Sequence, residues 1–167
     1  MVKTYDLLTL CAYNYWANAR ILDTAAKISA AQFTAPAMFS PGSLRGTLAH
    51  TLSAEWIWRM RIQEGISPTA MLHEEDFPTL EAIRARWREE EQVMLGFLAS
   101  LPDEDLERVV RYTSTGGVPY ENQRWHLLMH LLNHGTQHRS EAAAMLTDYG
   151  QSPGDIDFIV FLRERGV

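Results

Sequence analysis

Four long stretches of this chain carry apolar residues at spacings of three and four, and short segments punctuated by Pro and Gly separate them. That periodicity is the signature of amphipathic helices, and it constrains the fold more than any other feature. Residues 4–27 contain neither Gly nor Pro and predict a first helix built on Leu7, Leu8, Cys11, Tyr15, Ile21 and Leu22. Ser29 then caps a short helical turn, and Pro36, Pro41 and Gly42 make a loop. Ser43 has the chemistry of an N-cap for a second helix, which Gly65 ends with a left-handed C-cap.

A third helix is expected over 79–99, its charged residues forming a solvated face. Asp103 is expected to cap a short turn, and the segment RYTSTGGVPY has the alternation and Gly-Gly centre of a small β-hairpin. The last long helix is expected over 121–149, ended by Gly150, with a short terminal helix over 155–165. Gly150–Gly154 also spells GxSxG, but it follows a helix where a nucleophile elbow follows a strand, so it reads as a helix stop. The fold class is all-α: a four-helix bundle with short extra helices, in one domain over 1–167.

Charge narrows the partners. Fifteen Lys and Arg against 21 Asp and Glu leave a formal charge of −6, which disfavours nucleic acid and anionic membrane. No run is long and apolar enough to span a bilayer, and the amino terminus lacks a signal-peptide pattern, so a cytoplasmic location is expected. The single cysteine, Cys11, excludes thiolate clusters and CxxC chemistry, and its apolar surroundings mark it as a packing residue.

His126, His130, His134 and His138 recur every four residues along the last long helix. Each step advances about 6 Å and turns about 40°, so only a neighbouring pair can share an ion. Leu127, Leu131, Ala142, Met145 and Tyr149 cluster in the direction of His134 and His138, which places this pair inward. His126 and His130 fall on the flank with Gln137, Glu141 and Asp148. Gly135 and Ala142 beside the pair are expected to let another helix approach closely and to leave room for an ion.

Two inward histidines alone read first as a hydrogen-bonded structural pair, and His50 alone as a satisfied core histidine. Taken together, His50, His134 and His138 form a three-histidine set from two helices, suited to Zn²⁺, Ni²⁺ or Fe²⁺ with coordination positions left over. His73 lies in a polar loop and is expected to be exposed. The chain has no ExxH, no HExxH, no GxxxxGK[ST] and no GxGxxG, which removes di-iron carboxylate, zincin, ATP and dinucleotide readings.

The strings HLLNHGTQHR, TLAHTLSAEWIW and YNYWANARIL resemble the DinB/YfiT-like family, and the similarity runs over nearly the whole chain. The resemblance implies a four-helix bundle that binds one divalent metal, nickel or zinc first, through His50, His134 and His138. It implies a metal-dependent enzyme acting on a small-molecule substrate, with a low-molecular-weight thiol as candidate cosubstrate, and a homodimer as the assembly. Many relatives have Gly after the His-Arg pair, where this chain has Ser140.

Several roles are left open. Glu55, Tyr13 and Tyr120 are candidates for a general base, with no spacing to single one out. Trp16, Asn18 and Trp58 are candidates for lining a pocket, and Asn18 for accepting the free N–H of a ligand imidazole. The competing readings are a bundle merely stapled by its metal, a stress-linked binding protein, and a metal-free bundle whose histidines keep private hydrogen bonds.

Overall fold

The computed structural model describes residues 2–39 and 41–166. Helix α1 spans Thr4–Ala25, the short α2 Ala30–Thr34, α3 Leu44–Arg59, α4 Leu80–Ser100, α5 Arg124–Asp148 and the terminal α6 Phe158–Glu164. Strands β1, Val109–Thr113, and β2, Pro119–Gln123, form an antiparallel hairpin before α5. Helix α5 packs against α1 and α3, and α4 packs against the same two, so the four long helices close around a shared core. Among the described residues no helix is long and apolar enough to cross a membrane.

The two serine caps read from sequence are in place: Ser43 Oγ accepts from Gly46 N–H at 2.9 Å and Ser29 Oγ from Gln32 N–H at 3.2 Å, each satisfying a helix-end donor. Thr79, expected only as the start of the third helix, also caps it, its Oγ1 accepting from Ala82 N–H at 3.2 Å. Gly65 adopts the left-handed conformation at φ +66°. Just before it, Met60–Glu64 widens into a π-helical turn, which periodicity did not announce. Leu7, Ile21, Leu52, Ile83, Met94, Leu98, Leu128 and Leu146 fill the core. Cys11 is buried among them, and desolvation raises its thiol far above the ordinary range, so it stays protonated and inert.

Three local expectations are corrected. Helix α5 begins at Arg124 because residues 121–123 complete the ladder opposite Val109, Val110 and Arg111, and Arg124 N–H continues it to Arg108 O at 2.9 Å. Asp103 does not cap its own turn, where Pro102 holds the cap position. Its carboxylate accepts from Thr4 N–H at 2.7 Å, capping α1 instead, and that bond holds its pKa below the usual range. The charged face of α4 is not wholly solvated: Glu90 is fully buried, paired with Arg59 of α3 and with Arg86 one turn earlier.

Candidate metal centre

Helices α3 and α5 run past each other in opposite directions, which brings His50 level with His134 and His138 and Trp58 level with His130. The three histidines each offer a ring nitrogen, and these nitrogens lie within 4.8 Å of one another. His138 is buried, and His50 and His134 are half-buried. Glu141 Oε2 lies 2.6 Å from His138 Nδ1, and a carboxylate only accepts, so Nδ1 carries a proton and Nε2 is the ring nitrogen turned to the other histidines. That Nε2 faces His134 Nε2 at 3.2 Å.

Two nitrogens bound to one tetrahedral zinc at about 2.0–2.1 Å stand roughly 3.3 Å apart, so the pair already has the bite of a metal ligand set. Desolvation and the nearby rings of His138, His50 and His130 lower the His134 pKa to about 4. Desolvation, then His138, lowers that of His50, with Glu141 in partial opposition. Both are therefore neutral at neutral pH, the state in which imidazole binds a cation. A proton can bridge two of these rings, whereas a cation can be shared by all three.

A second polar cluster lies beside the triad in the interior. Glu55 of α3 is fully buried. Its Oε1 accepts from Asn14 Nδ2 at 2.8 Å and Asn18 Nδ2 at 3.1 Å, and its Oε2 from Trp87 Nε1 at 2.8 Å. Burial raises the Glu55 pKa, while these three donors and the Arg139 charge oppose the rise. Arg139, next in sequence to His138, donates to the Oδ1 atoms of Asn14 and of Asn18, the latter at 3.0 Å, and to Thr136 Oγ1 at 2.9 Å. Two asparagine amides thus relay an ion pair between α5 and α3.

A model of the DinB family matches residues 1–166. The chain belongs to the DinB family. No curated protein matches it. In this DinB chain the inward face anticipated from the helical wheel is the face on which His134 and His138 meet His50. His126, His130 and His73 are exposed, in agreement with their sequence reading.

The supporting roles differ from expectation. Gly135 admits a neighbouring helix closely, as expected, but the space goes to the polar relay of α1 and not to an ion: a Cβ there would fall 2.8 Å from Asn14 Oδ1. Asn18 serves Glu55 and Arg139 and is not the acceptor for a triad imidazole. Tyr13 OH donates to Ile156 O, Tyr120 stacks on Tyr112 in the hairpin, and Glu55 is enclosed, so none of the three general-base candidates faces the triad. Trp16 donates to Glu164 and packs on Phe161, away from the site. Trp58 alone of the pocket candidates stays close, edge-on to His130 at 4.9 Å.

Sequence reasoning missed Glu141, which the wheel set on the wet flank. The signal is the HxxE string of residues 138–141, the reverse of the ExxH order, which places a carboxylate one turn beyond a ligand imidazole.

Proposed function

We propose that His50, His134 and His138 hold one divalent cation, zinc or nickel first and ferrous iron third. On this reading the protein is a metal-dependent enzyme acting on a small molecule, by hydrolysis or by thiol transfer or isomerisation with a low-molecular-weight thiol, as a cytoplasmic homodimer. The observation that carries the reading is three imidazoles converging beside a cavity of about 220 Å³, which shares His50 as a wall with Gly46, Leu72 and Glu74. A cation used only as a staple needs no such space.

A bound cation of this kind supplies Lewis acidity and lowers the pKa of a water or thiol beside it, toward about 7 in the most favourable sites. The chain supplies the rest. Glu141 fixes the tautomer and ring angle of His138, and desolvation keeps His134 and His50 neutral. With Cys11 buried and protonated, the reading does not draw its nucleophile from the protein.

Protein purified without a histidine tag should carry close to one divalent ion per chain by elemental analysis, and the double variant His134→Ala/His138→Ala should carry none. Unchanged metal in the double variant would refute the ligands. Turnover is then sought by pairing a panel of thiols with electrophiles, with and without metal; activity that persists in the double variant would refute the mechanism.

A further inference from the structure

A series of rings leads away from the triad. His130 follows His134 at 5.8 Å between centroids, Trp58 meets His130 edge-on at 4.9 Å, Tyr112 meets Trp58 at 5.2 Å, and Tyr120 stacks on Tyr112 at 5.8 Å. Along α3, Gly46 walls the cavity, His50 belongs to the triad, and Trp58 stands two turns further on. Between His50 and Trp58 the same side of α3 carries Ala54 and Ile57, both buried.

This series differs from the other aromatic cluster of the molecule. Tyr13, Trp16, Phe158 and Phe161 also touch in sequence, but there α6 closes over the rings and Phe161 is 2% exposed, which is packing. In the series beside the triad His130 is exposed, Tyr120 is 52% exposed, and Trp58 and Tyr112 are half-buried. Arg61 holds the strip from the protein side: its buried guanidinium lies 4.7 Å from the Trp58 ring and 5.2 Å from that of Tyr112, and donates to Thr113 O at 3.2 Å. The strip ends in a groove of about 480 Å³ lined by Ser67, Tyr112 and Tyr120. Rigid rings, backed by a cation and open to solvent, form a surface that takes flat π-systems by stacking or edge contact.

We propose that this strip seats a planar, unsaturated group of the substrate while the substrate's donor atom meets the triad. The inference rests on the metal-site reading for the donor end, and on the ring geometry for the other end. The substrate class is a small molecule with an aromatic or conjugated portion beside an oxygen or sulfur donor.

The test compares two ligands with the same donor and ring size, benzohydroxamic acid, which is flat, and cyclohexanecarbohydroxamic acid, which is puckered, by calorimetry on the zinc-loaded full chain. The flat ligand should bind about tenfold tighter, the scale of one good aromatic contact. Trp58→Leu should remove that preference with zinc content unchanged, and His130→Ala, at an exposed position, provides the same reading if Trp58→Leu does not fold. Equal affinities in the parent, or a preference that survives the substitution, would overturn the proposal.

A zinc-free arm separates the two readings. Benzamide, but not cyclohexanecarboxamide, should shift the Trp58 indole N–H resonance in metal-free protein. If no zinc binds but this shift occurs, the metal reading fails and the strip stands; if benzamide shifts nothing on the strip, the strip fails whatever the metal content.

Discussion

On one face of α5, Arg139 reaches Asn14 and Asn18, which reach Glu55, which also receives Trp87, so a buried cation and a buried anion are each bonded through neutral groups. One residue earlier on the same helix, His138 turns toward His134 and His50, where three ring nitrogens converge with a single carboxylate, Glu141, behind one of them. Both clusters join α5 to α3, and both are built from polar side chains in low-dielectric surroundings. The relay is answered from within the chain, because every charge has its hydrogen bonds, and such a cluster specifies packing. In the triad two rings meet at 3.2 Å, which one proton can bridge, while the three ring nitrogens together have the spacing to share one cation. Satisfaction, rather than burial, separates scaffold from site.

The largest effect should come from breaking the closed cluster. Glu55→Ala leaves the Arg139 charge buried without its counter-ion, and unfolding in urea should show a loss of about 3–5 kcal/mol, whereas Glu55→Gln, which keeps the shape and one acceptor, should lose less. A Glu55→Ala protein as stable as the parent would remove the distinction drawn between the clusters. Next in size, Glu141→Ala should weaken zinc affinity about 10–100-fold with the stability of the metal-free protein little changed, measured by competition with a chromophoric chelator. An equal affinity would mean that the carboxylate does not orient His138.

A third effect concerns acid. His134 titrates at about 4 in the folded chain, against about 6.5 when unfolded. Between these values the unfolded chain binds a proton that the folded chain refuses. Stability of the metal-free protein should therefore be complete above about pH 6.5 and decline as pH falls toward 4. His134→Ala should flatten that decline, and bound metal should be released over the same range. Metal content indifferent to acid would point to ligands other than imidazole.

Much of this was legible in the sequence, for a physical reason: helical periodicity, caps and stops are local properties. Ser43, Thr79 and Gly65 marked helix ends because their roles are played out within a turn of themselves. The inward setting of His134 and His138 was legible because Leu127, Leu131 and Met145 share their side of the helix. The rest depended on what another element brings. Glu90 looks solvated until Arg59 arrives from α3, and Gly135 looks like space for an ion until Asn14 of α1 fills it. Asp103 caps a helix 99 residues away along the chain, and residues 121–123 join a strand because their partners lie in β1. No wheel drawn for one helix contains these partners.

The asparagine relay also bears on how a metal would enter. Small zinc domains collapse when stripped, since the ion is what folds them. Here Glu55 and Arg139 already tie α3 to α5 through the asparagines, so an ion taken up by His50, His134 and His138 would meet an assembled cradle. A chelator should therefore empty this protein without melting it, and the emptied form should be ready to be charged with a different metal.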